Sequence, residues 1–419
     1  MEANADRGSI RRWMYMLSLM LAGEAIYTLP YLRRGFQTSM QEVFDVTFTQ
    51  LGWMNAMFGI LAISVYAWGG WLSDRVSARK LLSFSLIATG LGGFYMATVP
   101  SFPMLVAIHA FWGVTTILTF WAALIKAARL WGSPNQQGFT FGLLDSGRGV
   151  VAAVLASIAV WVYALYPGDV RGGLMAVIFY YSSASVLVGV FVFLFVAEDT
   201  PDSTPTTSTE PGGSSRLLTV LKMPVIWLQG LIILFAYWLY IGTFEFSAFA
   251  EKAFDQDKVF GAQVNAVREW MRPVAALAAG LIADRIRITR AISVGFVLAG
   301  AGYLSMALLP AEAGMLAVLW VQVLVTSIAV FALRGIYFAL LEESKVPLVL
   351  TGTAIGVIST IGYTPDFFAY VLVGWLVDTY GAVSGYSSYF TILAGAAVCG
   401  VVITATLGRF DRNTSGEQQ

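Results

Sequence analysis

The sequence has one cysteine, Cys399, and one histidine, His109, among 419 residues. A single cysteine excludes a disulfide framework, and one histidine leaves no group of side chains with the spacing of a metal site. No His-Glu-x-x-His pattern and no Gly-Lys-Ser or Gly-Lys-Thr loop for nucleotide phosphates occurs. We therefore expect a protein without metal or cofactor that is neither an enzyme nor an ATP-driven pump.

Charged residues are also scarce. They make up 12% of the chain, against 58% hydrophobic and 14% aromatic residues, whereas soluble domains carry roughly 25% charged residues. Apolar runs of about 20 residues recur, and each is long enough to cross a hydrocarbon core of about 30 Å as a helix. The ten-residue alternation of membrane β-strands does not occur. The composition predicts an all-α membrane protein whose partner is the lipid bilayer and not a nucleic acid.

We predict twelve transmembrane helices. They span residues 13–36, 50–72, 81–100, 103–128, 138–165, 172–197, 224–248, 262–283, 289–310, 314–341, 352–376 and 384–407. Lysine and arginine lie mostly on one side of these spans, and only Arg171, Lys252 and Lys258 flank them on the other. The positive-inside rule then places both termini in the cytoplasm. We expect a multi-pass protein of the inner membrane.

A polar segment rich in Thr, Ser, Pro and Gly divides the chain near its midpoint. Such a composition is typical of a flexible linker. We predict an N-terminal six-helix bundle at 1–197, a cytoplasmic linker at 198–222 and a C-terminal six-helix bundle at 223–419.

An eleven-residue phrase occurs twice, as GWLSDRVSARK at 70–80 and GLIADRIRITR at 280–290. In each copy a small residue permits close helix packing, and an Asp-Arg pair lies where a helix leaves apolar surroundings. The residues concerned are Gly70, Asp74, Arg75 and Arg79 in the first copy and Gly280, Asp284 and Arg285 in the second. Two parallel halves of this kind place a binding site between them at mid-depth.

The first copy resembles the Gly-x-x-x-Asp-Arg-x-Gly-Arg-Arg signature of the major facilitator superfamily, with Ser77 and Ala78 in place of the usual Gly and Arg. The resemblance implies a secondary transporter that works by alternating access. It also implies that the signature residues form a gate and conformational latch. We expect the chain to act as a monomer.

A finer resemblance concerns Tyr31-Leu32-Arg33-Arg34-Gly35-Phe36, which is similar to the organophosphate:phosphate antiporter branch. The resemblance implies that Arg33 binds the substrate phosphate. Tyr240 occupies the place where that branch carries a second arginine, so the two-arginine phosphate clamp is incomplete.

Ionisable residues in a bilayer cost roughly 2.5–3.5 kcal/mol each on insertion scales, so they are expected to face the protein interior. Arginines outnumber carboxylates among them. The arginines are Arg33, Arg34, Arg148, Arg268, Arg272 and Arg334, and the carboxylates are Glu24, Asp145, Glu245 and Asp366. A surplus of guanidinium groups favours an anionic substrate, with carboxylate, sulfonate or phosphate equally suitable.

We predict substrate binding by buried arginines and by nearby tyrosines that can donate hydroxyl hydrogen bonds. These residues are Arg33, Arg148, Arg272, Arg334, Tyr27, Tyr31 and Tyr240. An alternative for Arg334 is to neutralise Glu342 or Glu343. We expect Arg34 and Arg268 to snorkel to the outer interface.

Proton coupling is predicted for Glu24 and Asp366, because burial favours the protonated carboxyl. The alternative is a permanent pairing with an arginine. Asp145 is either a gate or a structural partner of Arg148, three residues further along the same helix face. His109 has a suitable intrinsic pKa, but a packed, hydrogen-bonded histidine is the alternative. Glu245 is the remaining candidate.

The leading hypothesis is a secondary active transporter of a small organic anion. Proton symport is preferred over exchange because several buried carboxyl groups are present and the phosphate clamp is incomplete. The alternatives are an anion exchanger of the organophosphate:phosphate type and a transporter-like membrane sensor of such an anion.

Overall fold

The computed structural model describes residues 2–132, 137–198, 218–283, 287–337, 340 and 351–416. Within these ranges the chain is helical and contains no strand. Nine helical stretches of the described residues are long and apolar enough to cross a membrane; they are Phe48–Val65, Phe102–Trp131, Leu143–Ala164, Val170–Phe195, Pro224–Ala253, Ile288–Ala307, Leu316–Ile336, Ala354–Tyr380 and Ala382–Phe410. The prediction of an all-α membrane protein is confirmed. Twelve spans and cytoplasmic termini stay predictions.

The chain forms two compact units, and the first comprises Met1–Ser203 and Asp257–Trp270. Its helices before the midpoint of the chain are α1 (Glu2–Thr28), α2 (Arg33–Phe44), α3 (Phe48–Arg75), α4 (Ala78–Met96), α5 (Phe102–Thr116), α6 (Ala122–Trp131), α7 (Gln137–Ala164) and α8 (Val170–Phe195). A π-helical segment, Ile117–Trp121, joins α5 to α6. Apolar side chains of α1, α4 and α6, such as Leu19, Leu82 and Leu124, are fully buried together.

The second unit comprises Thr204–Gln256 and Met271–Gln419. The remaining helices are α9 (Pro224–Gly242), α10 (Phe246–Ala253), α11 (Lys258–Ala283), α12 (Ile288–Ala307), α13 (Leu316–Ile336), α14 (Thr351–Gly362), α15 (Pro365–Tyr380) and α16 (Ala382–Gly416). Helix α11 belongs to the first unit as far as Trp270 and to the second unit from Met271 onwards. Pro273 lies two residues after that division.

The first predicted span, 13–36, is two helices rather than one. Between α1 and α2 the chain makes a turn at residues 29–32. Pro30 lies in this turn and has no backbone N–H with which to continue a helix. Its carbonyl oxygen accepts a hydrogen bond from the side chain of Asn55 in α3, at 3.2 Å. Arg33 and Arg34 therefore begin a new helix.

The predicted linker at 198–222 falls largely on residues 199–217, which lie outside the described part of the chain. The predicted boundaries of the two six-helix domains stay predictions.

Candidate functional site

A cavity in the first unit is lined by residues of α1, α2, α7, α8 and the first half of α11. The volume open to water is about 40 Å³, which accommodates about three water molecules at roughly 10–15 Å³ each. The polar side chains in its wall are Glu24, Tyr27, Thr28, Tyr31, Arg34, Tyr181, Asn265 and Glu269. Four of these residues, Glu24, Tyr27, Tyr31 and Arg34, were considered from the sequence.

Glu24 of α1 forms a buried ion pair with Arg148 of α7. Its Oε1 lies 3.0 Å from the Nη2 of Arg148, and the two side chains are 7% and 11% exposed. Arg148 Nε also donates to the backbone carbonyl of Gly23 at 3.1 Å. The Nη1 of Arg148 is 3.6 Å from Oδ1 of Asp145, whose side chain is 65% exposed. Arg148 therefore has two carboxylate neighbours, one at the cavity and one that is solvent-accessible.

Arg34 lies on the aromatic face of Tyr31. The guanidinium carbon is 4.0 Å from the centre of the Tyr31 ring. One guanidinium nitrogen, Nη1, is 3.9 Å from Oε1 of Glu269, which is beyond hydrogen-bonding distance. Arg34 thus faces the cavity, whereas the sequence predicted that its side chain would extend to the outer interface.

Arg268 is fully buried and forms an ion pair with its neighbour Glu269. It also donates to Oδ1 of Asn265 at 3.0 Å. The expectation that Arg268 snorkels to the interface is therefore wrong. The physical reason is that the first half of α11 packs within the first unit, which buries Arg268, and that Glu269 compensates the guanidinium charge.

Glu269 is absent from the sequence-based set of interior carboxylates, although it adjoins Arg268, which is in the arginine set. The sequence feature that could have identified Glu269 is its position next to Arg268, as a pair of opposite charges inside a predicted span. Glu251 is a second buried carboxylate absent from that set, and it accepts a hydrogen bond from Ser247 at 3.5 Å.

Arg33 is 1% exposed and is not part of the described cavity wall. It lies close enough to His109 for its charge to act on the ring. His109 Nδ1 is 2.8 Å from the carbonyl oxygen of Leu105, and its ring packs edge-on against Trp112 with centroids 4.9 Å apart. His109 is thus packed and hydrogen-bonded, as one of the two alternatives from the sequence expected. Substrate binding by Arg33 stays a prediction.

The second unit has its own polar cluster. Asp366 lies in the first turn of α15, where the helix dipole favours a negative charge. Its two carboxylate oxygens accept hydrogen bonds from the hydroxyl of Tyr237 at 3.0 and 3.2 Å. The guanidinium carbon of Arg334 is 4.1 Å from the centre of the Tyr240 ring. The alternative partners Glu342 and Glu343 lie outside the described residues.

The structure also describes two other candidates of this unit. Glu245 is fully buried in a single 3₁₀ turn, Thr243–Glu245, between α9 and α10. Arg272 is partly exposed in α11, directly before Pro273. Their roles stay predictions.

The repeated phrase falls at helix ends. Gly70, Asp74 and Arg75 lie in the last two turns of α3, and the Arg75 guanidinium carbon is 4.1 Å from the centre of the Trp71 ring. Gly280 lies in α11, whereas Asp284 and Arg285 lie outside the described residues. The role of these residues as gate and latch stays a prediction.

Two basic residues at the start of α4 bind one carboxylate after the end of α8. Arg79 forms an ion pair with Glu198, and Lys80 Nζ is 3.2 Å from the other carboxylate oxygen. The hydrogen bond from Lys80, together with the charge of Arg79, lowers the pKa of Glu198 below its ordinary value.

Helices of membrane-spanning length define a multi-pass membrane protein, and charged clusters buried inside it indicate a functional interior. The sequence profile of the Major Facilitator Superfamily matches residues 13–365. The chain belongs to the Major Facilitator Superfamily, whose members are transporters and not enzymes.

Two proteins of Escherichia coli (strain K12) resemble the chain over nearly its whole length. Inner membrane protein YqcE is 29% identical over 414 residues, covering 97% of this chain and 96% of the relative. Inner membrane protein YihN is 29% identical over 403 residues, covering 95% of each. The predicted location in the inner membrane is confirmed.

Solved structures show the same fold. A mutant of the nucleoside transporter NupG superposes with a TM-score of 0.76 at 14% identity, covering 95% of this chain and 99% of that one. A bacterial homolog of the human lysosomal transporter Spinster, inward-facing and unoccupied, gives 0.69 at 16% identity, covering 96% and 97%. At these identities the likeness concerns the fold alone.

Proposed function

We propose that the chain is a secondary active transporter that carries a small organic anion together with a proton by alternating access. The observation that carries the proposal is the charge of the first unit. Among the described residues of this unit, the buried or nearly buried arginines are Arg33, Arg34, Arg148 and Arg268, and the buried carboxylates are Glu24 and Glu269. Fixed guanidinium charge in excess of carboxylate favours an anionic substrate.

The second unit has the opposite balance. In the described part of this unit the buried carboxylates are Glu245, Glu251 and Asp366, against the partly exposed arginines Arg272 and Arg334. With Glu251 and Glu269 added to the four predicted carboxylates, the six predicted arginines no longer outnumber the interior carboxylates. Among the described residues an arginine excess remains only in the first unit. Buried carboxylates in both units supply sites for a proton, which supports symport.

Substrate class is tested by thermal stability of the purified chain in detergent, because a ligand that binds the folded state raises its stability by an amount set by concentration over Kd. We expect at least one of lactate, isethionate and glycerol 3-phosphate to raise the Tm. Neutral glycerol serves as the matched control. Stabilisation by neutral uridine, with no effect of the three anions, would contradict an anionic substrate.

Uptake of the stabilising anion into proteoliposomes separates a transporter from a sensor. A transporter accumulates the anion when a proton gradient is imposed. Binding without uptake under any gradient, or with an anion trapped inside, would identify a sensor instead.

A further inference from the structure

Tryptophan and arginine side chains form a cluster where α1 begins and α6 ends. The indole Nε1 of Trp131 donates to the backbone carbonyl of Arg12 at 2.7 Å, and the guanidinium carbon of Arg12 is 4.7 Å from the centre of the Trp131 ring. Trp13 packs edge-on against the same ring, with centroids 5.7 Å apart. The buried hydroxyl of Tyr15 donates to the carbonyl of Ala127 at 3.0 Å and joins the two helices next to it. We call Arg12, Trp13 and Trp131 the α1–α6 cluster.

The α1–α6 cluster lies at an expected boundary of the membrane. The apolar helical stretch Phe102–Trp131, long enough to cross a bilayer, ends at Trp131, and the first predicted span begins at residue 13. Tryptophan is enriched where hydrocarbon meets the lipid head groups, because its ring is apolar and its N–H is polar. The position therefore favours contact of this cluster with lipid head groups.

The charge at the cluster is positive. Arg11 and Arg12 are exposed, and within the part of the chain that the structure describes neither forms an ion pair with a carboxylate. The sequence contains no Asp or Glu at residues 7–23 and none at residues 75–144, which include α6. Stacking on Trp131 uses one face of the Arg12 guanidinium, and the N–H donors at its edge have the geometry that suits a phosphate group.

An apolar surface adjoins these charges. Trp13 and Leu17 are both exposed, and their spacing of four residues places them on the same face of α1. Leu130, next to Trp131 at the end of α6, is exposed as well. A phospholipid complements both parts, because its phosphate matches the arginines and its acyl chains match the apolar side chains. An acidic peptide or inorganic phosphate would complement the charge alone.

We propose that the α1–α6 cluster binds an anionic phospholipid, with its phosphate on Arg12, with Arg11 adding positive charge beside it, and with its acyl chains over Trp13 and Leu17. The site shares no residue with the cavity wall described above. The proposal goes beyond the proposed function, since it requires neither an anionic substrate nor proton coupling.

Native mass spectrometry of the purified full chain in detergent tests the proposal. The probes are dioleoyl phosphatidylglycerol and dioleoyl phosphatidylcholine, which have the same acyl chains and differ in the net charge of the head group. We expect one phosphatidylglycerol molecule to bind at least about tenfold more tightly than phosphatidylcholine, because basic residues near the bilayer surface attract anionic lipids. Arg12→Gln should weaken phosphatidylglycerol binding about fivefold and leave phosphatidylcholine binding unchanged.

Arg12→Lys keeps the charge without the planar donor group, so it should restore part of the lost affinity. Arg11→Gln leaves the packing on Trp131 in place and should also weaken phosphatidylglycerol binding, which keeps the proposal testable if Arg12→Gln does not fold. Arg171→Gln is the matched control, because Arg171 is an exposed arginine at the start of α8 and lies outside the cluster; it should bind both lipids as the unmodified chain does.

Equal affinity of the unmodified chain for the two lipids would overturn the anionic occupant. An equal loss in Arg12→Gln and Arg171→Gln would show attraction by surface charge in general and would overturn the site. Complete displacement of phosphatidylglycerol by an equal concentration of inorganic phosphate would assign the arginines to a free anion and would overturn the lipid.

Discussion

At the scale of single residues, Gly23 determines how closely Arg148 can lie against α1. A Cβ atom at Gly23 would be 2.8 Å from both Cδ and Nε of Arg148. If the added atom pushed Arg148 away, the guanidinium group would lose its hydrogen bond to the Gly23 carbonyl and its contact with Glu24. Gly23 therefore provides the space that the ion pair between Arg148 and Glu24 occupies.

We predict that Gly23→Val displaces Arg148 and destabilises the protein by about 1–3 kcal/mol, the usual cost of overpacking. The measurement is the free energy of unfolding in detergent. Gly395→Ala is the matched control, because Gly395 lies in α16 with no atom within 4 Å of an added Cβ; alanine there should be neutral or slightly stabilising. Equal stability of the two variants would show that Arg148 has room to move.

Glu198 provides a prediction about pH. Its pKa in the folded protein lies below the ordinary value of 4.5, because Lys80 and Arg79 favour the ionised form. The stabilisation is thus complete above about pH 4.5 and is lost as the pH falls through the lowered pKa. We expect the Tm of the unmodified chain to fall more steeply below pH 4.5 than that of Glu198→Gln.

The difference should be small, since exposed ion pairs contribute little, and high salt should reduce it further. Parallel Tm curves for the two proteins between pH 7 and pH 3.5 would contradict the ion pair of Glu198 with Arg79 and Lys80.

The sequence predicted which charged residues lie in the interior better than it predicted what each of them contacts. Hydropathy and depth counting identified Glu24, Arg148 and Asp366 as interior charges, and the structure buries or nearly buries all three. Arg268 was placed wrongly because depth counting measures distance from a helix end and takes no account of helices packed beside it. Glu269 was missed although it adjoins Arg268 in the sequence; its approach to Arg34 could not be predicted, because Arg34 is distant in sequence.

At the scale of elements, the turn between α1 and α2 determines the orientation of the cavity arginine. Tyr31 lies in this turn and Arg34 follows it in the first turn of α2. The side chain of Asn55 holds the carbonyl of Pro30 from α3, and Asn55 is 2% exposed. A polar contact between helices thus maintains an interruption that hydropathy cannot detect, because hydropathy reports apolar length and not backbone geometry.

We predict that Asn55→Leu, which keeps the branching at Cγ but removes the donor, costs about 0.6–1.7 kcal/mol, from the average to the maximum measured for hydrogen bonds between membrane helices. It should also weaken anion binding, because the turn that holds Tyr31, a predicted binding residue, is less constrained. The measurements are the unfolding free energy and the calorimetric Kd. Unchanged affinity at reduced stability would show that the turn does not contribute to anion binding.

At the scale of the whole molecule, most of the fold was predictable. Long apolar runs predicted helices, and each of the twelve predicted spans coincides with described helix over most of its length. The repeated phrase at 70–80 and 280–290 indicated the family, which the match over residues 13–365 confirms. The distribution of charge between the units was not predictable, because it depends on which unit the first half of α11 joins.

Among the described buried and partly buried residues, arginines outnumber carboxylates in the first unit and carboxylates outnumber arginines in the second. This distribution supports the proposed anionic substrate.

Proteoliposomes that contain the purified chain and an internal pH-sensitive dye test the proposed proton-coupled anion transport most directly. Addition of the stabilising anion outside should acidify the interior. Anion uptake by the unmodified chain without any change of internal pH, or uptake of uridine in place of the anions, would contradict the proposed proton-coupled anion transport.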